Sequence, residues 1–297
     1  MSGSDTLRRW LLALPSVVII MLFSILPLGV VVVYSFLTPG DLGNVKWIFS
    51  TEGWFSVLFE RNIFDDTISL SDANLGILLR SIALSLITTI ITLIFGLPTA
   101  WFIATRQVTQ RNFWLFLITI PFWTNLLVRT IAVQEMIRSE GVFNRILLAA
   151  GLIKAPIQMM YTDFAVLLGM TYVFLPLMVL PVYAAIEKFD FRLAEASYDL
   201  YASRFFCLRK VILPLIRPGV IAGSILVFVP SLGAYVTPRV MGGGKSMMLG
   251  NLIDLQFGQG RNWPLGAALS ITLTVLVLIA LIWYTRLTSG RKERNHG

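Results

Sequence analysis

The sequence predicts an all-α membrane protein with about six transmembrane helices. Only 13% of its 297 residues are charged, whereas a soluble domain carries about 25%. Hydrophobic residues make up 56% of the chain, and its mean hydropathy is +0.78. With so few charges the chain has no means of covering a water-facing surface, so lipid must be part of its solvent.

Apolar runs of about 20 residues, the length of helix that crosses the hydrocarbon of a bilayer, recur along the chain. Six spans are predicted, at Trp10–Phe36, Leu75–Thr105, Phe113–Met136, Thr162–Ala185, Pro218–Val240 and Leu265–Leu287. Arg8 and Arg9 before the first run resemble the start of a signal peptide. Positions 10–40 carry no charge and no Ala-x-Ala cleavage site, so we expect an uncleaved first helix.

The distribution of Lys and Arg orients these spans. Fourteen of the 24 basic residues fall on one side, at the N-terminus, at 106–112, at 186–217 and in the tail from Arg286. Cytoplasmic loops are enriched in Lys and Arg, so both termini are predicted to be cytoplasmic. The expected segments are an N-terminus at 1–9, a transmembrane domain at 10–288, outer loops at 37–74 and 241–264, a cytoplasmic segment at 186–217 and a tail at 289–297.

The first predicted outer loop is acidic, although the whole chain has a formal net charge of +8. Lys46 and Arg61 are its only basic residues. Its six acids are Asp41, Glu52, Glu60, Asp65, Asp66 and Asp72. We interpret the net positive charge as cytoplasmic enrichment and not as nucleic-acid binding, because the basic residues lie between apolar spans and form no continuous stripe.

Residue counts exclude several kinds of chemistry. Cys207 is the single cysteine and His296 the single histidine, which rules out a His-based triad, an HExxH zinc site and a Cys/His metal cluster. Gly244-Lys245-Ser246 resembles the end of a phosphate-binding loop, but Arg239 stands where that pattern needs glycine. The sequence therefore predicts no catalytic, cofactor-binding or metal-binding residue.

The segment 186–217 is too polar to span a membrane and too apolar for a loose linker. Apolar residues recur in it at helical spacing, first as Leu193, Ala196 and Leu200, then as Phe205, Leu208, Val211 and Ile212. The pattern predicts two short amphipathic helices joined near 201–203. From this pattern alone, a pair of helices lying on the membrane surface is an equally good interpretation.

An ordered set of short motifs resembles the permeases of ATP-binding-cassette (ABC) importers over about residues 10–288. Glu195-Ala196-Ser197, followed by Leu213-Pro214 and Pro218-Gly219, resembles the EAA loop of that family. Other blocks are similar to spermidine/putrescine permeases of the PotB/PotH type. They are Pro121-Phe122-Trp123-Thr124-Asn125, Met241-Gly242-Gly243, Gly250-Asn251, Gln256-Phe257 and Trp263-Pro264-Leu265-Gly266-Ala267-Ala268.

The resemblance implies the fold of a type I ABC importer permease and a multi-pass location in a bacterial inner membrane. It implies a transport subunit and not an enzyme, paired with a second, homologous permease. Two ATPase subunits would use ATP and Mg²⁺, and a periplasmic solute-binding protein would dock on the outer loops, especially 37–74 and 241–264. Cofactors on this chain and nucleic-acid partners are not implied.

The substrate implied is a polyamine, spermidine or putrescine. Alternatives within the same class are an amino acid, a phosphonate or an iron chelate. An ion-coupled secondary transporter belongs to a different class, and it would favour inverted repeats and carboxylates inside the spans. We find neither in the sequence.

In ABC importer permeases the EAA loop couples the permease to its ATPase. The coupling residues implied by the resemblance are Glu195, Ala196, Ser197, Tyr201, Ala202, Phe205, Leu213 and Pro214. Two positions depart from the family pattern, because Ser197 replaces a second alanine and Tyr201 replaces a glycine. Glycine there permits a tight turn, so we expect tyrosine to strain or reshape it.

A second set of residues is expected along the translocation path. Asn125 and Arg129 are four residues apart and share one helix face, with Trp123 nearby. A polycation is best held by carboxylates beside aromatic rings, but few acids lie near the spans. The candidates are Trp123, Asn125, Arg129, Tyr172, Tyr235 and Asp254, with Asp163 as another nearby acid. For Arg80 and Arg129, a helix–helix ion pair or snorkelling to the outer boundary is the simpler interpretation.

Overall fold

The computed structural model describes residues 3–40, 43–61 and 68–289. The predicted segments 1–9 and 289–297 lie partly outside these residues, and His296, Asp41, Asp65 and Asp66 lie wholly outside them. The chain divides into two compact units. The first comprises Met1–Leu75 and Leu252–Val275, and the second comprises Gly76–Asn251 and Leu276–Gly297.

The described chain is mostly helical. Its α-helices are α1 Gly3–Ile20, α2 Leu26–Ser35, α3 Glu52–Leu58, α4 Asp72–Ala104, α5 Val108–Trp123, α6 Leu126–Ile137, α7 Val142–Ala149, α8 Asp163–Glu187, α9 Arg192–Asp199, α10 Arg204–Cys207, α11 Leu213–Leu232, α12 Leu249–Phe257 and α13 Trp263–Ser289. π-Helical turns lie at Met21–Ile25, Leu208–Ile212 and Pro238–Gly242, and a 3-10 turn lies at Gly243–Ser246.

Five stretches of helix in the described chain are long and apolar enough to cross a membrane. They are Leu12–Ser35, Asp72–Ala104, Asp163–Glu187, Arg204–Leu232 and Trp263–Trp283. A sixth crossing results if the bent pair Val108–Trp123 and Leu126–Ala149 is counted as one span. This confirms the predicted fold class, an all-α membrane protein with about six transmembrane helices.

The third predicted span is not one continuous helix. α5 ends at Trp123 and the next helical stretch begins at Leu126, at an angle of 99°. Pro121 lies in the last turn of α5, and the Asn125 side chain accepts a hydrogen bond from the Leu127 N–H at 2.8 Å. Proline weakens a helix locally and asparagine is a favoured N-cap. The span predicted at Phe113–Met136 is therefore broken within its length, because hydropathy does not register a cap between two apolar stretches.

The fifth span also differs from its prediction of Pro218–Val240. α10 runs without a break through the π-helical turn into α11, and the combined span is Arg204–Leu232. The second predicted amphipathic helix is thus continuous with the helix of the following span. The chain leaves that helix at Gly233, its C-cap.

In the second unit, α4 and α11 each pack against α8 through glycines. Met178 of α8 is fully buried, and a Cβ added at Gly96 or at Gly223 would lie within 3 Å of its side chain. A Cβ at Gly219 would lie 2.6 Å from the carbonyl oxygen of Pro181. Small residues let helix backbones approach closely, which matters in lipid because apolar burial between helices supplies little driving force there.

The first unit contains small elements within the predicted outer loop 37–74. Strand β1 Leu37–Pro39 pairs antiparallel with β2 Val45–Phe49, and β3 Phe59–Arg61 pairs antiparallel with β4 Ile68–Leu70. α3 lies between the two hairpins. The Asn74 side-chain N–H donates to the Ser56 carbonyl at 2.9 Å and so ties the start of α4 to α3.

Candidate coupling surface and translocation path

The buried residues of helix α9 are small ones. Its first turn begins where the Asp190 carboxylate accepts a hydrogen bond from the Arg192 N–H at 3.0 Å. Ala194 and Ser197 are buried, and Ser197 Oγ donates to the Ala194 carbonyl at 2.8 Å. The hydroxyl that replaces the family's alanine is therefore satisfied within the helix, and its burial leaves no unpaired polar group.

Most of the apolar residues from which the amphipathic helices were predicted are exposed. Leu200 is 82% exposed and Phe205 is 70% exposed. Glu195 and Ala196 are exposed on the same short segment. We call the exposed set Glu195, Ala196, Leu200, Tyr201 and Phe205 the coupling surface. Contiguous exposed apolar side chains of this kind mark interaction sites.

The turn after α9 explains why the family favours glycine at the position of Tyr201. The Tyr201 N–H donates to the Tyr198 carbonyl at 2.9 Å, and the Ala202 N–H donates to the Ser197 carbonyl at 3.1 Å. These two bonds form a Schellman motif, in which the residue after the C-cap adopts the left-handed conformation. Tyr201 has φ +61°, and its side chain is 99% exposed. The turn keeps the conformation that suits glycine, so tyrosine strains it without reshaping it.

We predict that Tyr201→Gly stabilises this turn. The left-handed conformation costs a non-glycine residue about 1–2 kcal/mol, and glycine's greater freedom in the unfolded chain offsets part of that gain. A net gain of about 1 kcal/mol would slow the exchange of the amide hydrogens at position 201 and at Ala202 about fivefold. Tyr201→Ala is the matched control, because it removes the ring but keeps the Cβ and therefore the strain. Equal exchange rates in the two variants would contradict the assignment of strain to this backbone position.

The inner side of the α9–α10 segment joins the core of the second unit. Ala194, Cys207 and Ile212 are buried in one cluster with residues at the ends of two spans. These residues are Ala100, Ile103 and Ala104 of α4 and Val182, Tyr183 and Ile186 of α8. The nearby Cys207 thiol also raises the pKa of Tyr198. A displacement of the coupling surface would therefore pass directly into α4 and α8, because close-packed interiors transmit strain.

A polar network missed by the sequence analysis lies beside this cluster. Arg111 of α5 donates to the Glu187 carboxylate at 3.2 Å and to the Ala104 carbonyl at 2.9 Å. The Tyr183 hydroxyl donates to the same Glu187 oxygen at 2.8 Å. The network connects α4, α5 and α8. Only the spacing of Tyr183 and Glu187, one helical turn apart, was available from the sequence as a signal.

The predicted coupling residues fall into two groups. Glu195, Ala196, Tyr201 and Phe205 are exposed, whereas Ser197 faces inward and Ala202 is half-buried in the turn. Leu213 and Pro214 are half-buried in the first turn of α11. They follow the coupling surface in the sequence and do not belong to its exposed set. Leu200 belongs to the coupling surface but was not among the predicted residues.

Three translocation candidates lie at the break between α5 and α6. Trp123 ends α5 and is 87% exposed, Asn125 caps α6, and Arg129 completes the first turn by donating its N–H to the Asn125 carbonyl at 3.1 Å. The Arg129 guanidinium lies 6.0 Å from the centre of the Phe122 ring. Its Nε and Nη1 atoms are buried and have no hydrogen-bond partner among the described residues.

The other candidates lie elsewhere in the chain. Tyr172 is on α8, and Tyr235 follows α11, where its carbonyl accepts a hydrogen bond from Asn251 at 2.7 Å. Within the described residues, no hydrogen bond or ring contact joins either tyrosine to the α5–α6 break. Asp254 lies on α12 in the first unit and is exposed.

Two charges considered separately in the sequence form an ion pair. Arg80 of α4 contacts the Asp163 carboxylate at the start of α8, and Ser246 donates to the same carboxylate oxygen at 2.8 Å. The helix–helix ion pair predicted for Arg80 is thus confirmed, and its partner is Asp163. Ser246, the last residue of the Gly244-Lys245-Ser246 motif, is buried in this cluster.

Comparison with known proteins agrees with this architecture. Residues 75–293 match the family described as the binding-protein-dependent transport system inner membrane component. Over 267 residues the chain is 39% identical to the spermidine/putrescine transport system permease protein PotB of Escherichia coli, covering 90% of this chain and 93% of PotB. It is 36% identical to PotC of the same organism over 123 residues, covering 41% of this chain and 46% of PotC.

Among solved structures, the chain is similar in fold to a bacterial alginate ABC transporter crystallised with its alginate-bound periplasmic protein. The TM-score is 0.68 at 16% identity, covering 96% of both chains. The match in sequence to PotB covers 90% of the chain, and the structural similarity covers 96% of it. The chain therefore belongs to the inner-membrane components of binding-protein-dependent transport systems, and it is a multi-pass transport permease.

Proposed function

We propose that this permease forms one half of the membrane channel of an ATP-driven importer for linear polyamines such as spermidine and putrescine. The observation that carries the proposal is the 39% identity to PotB over 90% of this chain. PotB is named for spermidine/putrescine transport, and the match includes both the spans and the loops between them. The likeness to the alginate transporter supports the fold alone.

The proposed complex contains a second permease, two ATPase subunits and a periplasmic solute-binding protein. The partial identity to PotC supports a homologous permease as partner. A second permease is needed because the five or six spans of this chain form only half of the pathway. The family description, a binding-protein-dependent transport system, supports a binding-protein partner. We assign the binding of ATP and Mg²⁺ to the ATPase subunits and not to this chain.

In this arrangement both termini and the segment 186–217 are cytoplasmic, and the loops 37–74 and 241–264 face outward. The coupling surface contacts the ATPase. Its exposed Glu195, Leu200 and Tyr201 supply one carboxylate and two apolar contacts, and its buried side transmits the ATPase movement to α4 and α8. The pathway then alternates between outward-facing and inward-facing forms.

Uptake by the purified complex tests the proposal. The two permeases and two ATPase subunits are reconstituted together in proteoliposomes with internal ATP. Entry of labelled spermidine and putrescine is then measured with the binding protein outside. We expect saturable uptake that needs both ATP and the binding protein. Uptake of neither polyamine by a complex whose ATPase is stimulated by the binding protein would keep the importer and overturn the substrate. Uptake without the ATPase subunits would overturn the importer.

A further inference from the structure

Arg111 and Glu187 each lie at the unfavourable end of a helix. Arg111 is the fourth residue of α5, near the N-terminus of that helix, and Glu187 is the last residue of α8. The helix macrodipole disfavours a cation at an N-terminus and an anion at a C-terminus. The two side chains form an ion pair, in which Nη1 of Arg111 lies 3.2 Å from a carboxylate oxygen of Glu187. Each charge therefore offsets the unfavourable position of the other.

The same guanidinium also binds the end of α4. Its Nη2 atom donates to the Ala104 carbonyl at 2.9 Å and to the Arg106 carbonyl at 3.3 Å. The last carbonyl groups of a helix have no partner within that helix, so a basic side chain there supplies the missing donor. The Tyr183 hydroxyl of α8 donates at 2.8 Å to the carboxylate oxygen that Arg111 contacts. One side chain of α5 thus joins the C-terminal ends of α4 and α8.

Helix α5 depends on this junction because the rest of it is loosely packed. Of its 16 residues, all of which the structure describes, none is buried, whereas eleven residues of α8 are buried. Trp114, Leu115 and Ile118 are half-buried against the core cluster. Among the described residues, Arg111 makes the only side-chain hydrogen bonds that join α5 to another helix. An element with few buried contacts is easily displaced, so the position of α5 is set largely by Arg111.

The coupling surface is anchored at the same junction. A short linker connects α8 to α9, and its Phe189 is buried. The Phe191 ring, at the start of α9, meets Trp101 of α4 edge-on at 5.7 Å and meets Phe189 at 5.4 Å. Aromatic rings prefer this edge-to-face arrangement. A displacement of α9 therefore reaches the end of α8, and the ion pair passes it on to α5.

The other end of α5 lies at the break with α6. α5 ends at Trp123, and the next helical stretch begins at an angle of 99° to it. Asn125 and Arg129, two further candidates for the translocation path, lie just beyond the break. A helix of this length is about 24 Å long and moves as one body. A displacement of its first turn therefore moves the break as well.

We propose that Arg111 is a positioning residue for the coupling of ATP hydrolysis to transport. Through its ion pair with Glu187 it fixes the start of α5 to the end of α8, so that a displacement of the coupling surface also moves α5 and the α5–α6 break. The inference rests on the proposed function and adds to it a connection between the coupling surface and the candidate translocation path.

The number of spermidine molecules imported per ATP hydrolysed tests this role. A merely structural contact would change the amount of assembled complex and leave this ratio unaltered. In proteoliposomes of the assembled importer, Arg111→Gln and Glu187→Gln should each lower the ratio about fivefold, as for a charge-assisted hydrogen bond. The double variant should match Arg111→Gln, because both changes break the same pair.

Glu135→Gln is the matched control. The Glu135–Arg138 ion pair, at 2.8 Å, joins two residues three apart at the end of α6 and connects no helices to one another. Its loss should leave the ratio unaltered. An equal fall in the ratio for Glu135→Gln and Glu187→Gln would overturn the proposal in favour of a general effect of charge.

A distance measurement separates this inference from the polyamine proposal. Spin labels are attached at Phe116→Cys on α5 and Leu168→Cys on α8, both exposed positions, with the fully buried Cys207 replaced by alanine. We expect ATP and vanadate to change the distance between the labels in the unaltered complex and Glu187→Gln to abolish most of that change. The same change in distance in both complexes would overturn the role of Arg111. Absence of spermidine uptake by the unaltered complex would overturn the substrate alone, and the distances would still decide the role of Arg111.

Discussion

Replacing Glu195 with alanine is expected to reduce ATP-driven uptake at least about thirtyfold, since truncating one partner of a buried interfacial charge pair costs 2–5 kcal/mol. Glu195 lies in the first turn of α9 and is exposed, and its carboxylate makes no hydrogen bond or ion pair with any described residue. Its removal therefore leaves the fold of this chain unchanged. We expect the loss to fall on the proposed contact with the ATPase, where α9 would move with its partner.

The measurement is uptake per assembled complex, with the amount of bound ATPase determined in the same preparation. Glu140→Ala is the matched control, because Glu140 is another exposed acid and lies far from α9 in the sequence. We expect it to retain full uptake. Unimpaired uptake by the Glu195→Ala complex would contradict a coupling role for α9, and loss of uptake in both variants would indicate a general effect of charge.

Replacing Gly219 with valine is expected to prevent correct packing of α11 against α8. The new Cβ would lie 2.6 Å from the Pro181 carbonyl oxygen and would overlap the Ala185 side chain. Overpacking a core typically costs about 1–3 kcal/mol, and here the obstacle is backbone, which cannot rotate away. We expect a large loss of monodisperse protein after extraction and a lower unfolding temperature.

Gly29→Val is the control for this change. Gly29 lies in α2, and a Cβ there would meet no atom within 4 Å, so the same substitution adds volume only toward open space. Both variants are compared by fluorescence-detected size-exclusion chromatography and thermal unfolding in detergent. Similar behaviour of the two variants would contradict the close approach of α8 and α11.

The sequence predicted the fold class because hydropathy is a property of residues taken in order. Trp10–Phe36 and Thr162–Ala185 were placed within a few residues, since an apolar run in lipid has no alternative to a helix. The sequence was less accurate about the bounds and continuity of the spans at Phe113–Met136 and Pro218–Val240. In the first case Asn125 caps a new helix, and in the second a cytoplasmic amphipathic segment continues into the span. Both are decided by hydrogen bonding and packing at particular residues.

The candidate site was predicted to a similar extent. The EAA-like motif located the α9–α10 segment, and the departure at Tyr201 indicated a strained turn. The direction of each side chain was not predictable, because Leu193, Ala196 and Leu200 fit a buried face as well as an exposed one. Ala194 and Ser197 are buried instead, and Ala194 lies in one cluster with residues at the ends of α4 and α8.

The sequence by itself determined the solvent of this protein, the approximate spans, the family and the position at which its coupling turn departs from that family. These follow from composition and from motifs of neighbouring residues. The tertiary structure alone decided that Arg80 pairs with Asp163 and that Arg111 and Tyr183 share Glu187. The physical reason is that these groups are distant in sequence, and only the packing of the helices brings their charges and hydrogen-bonding atoms within reach of one another.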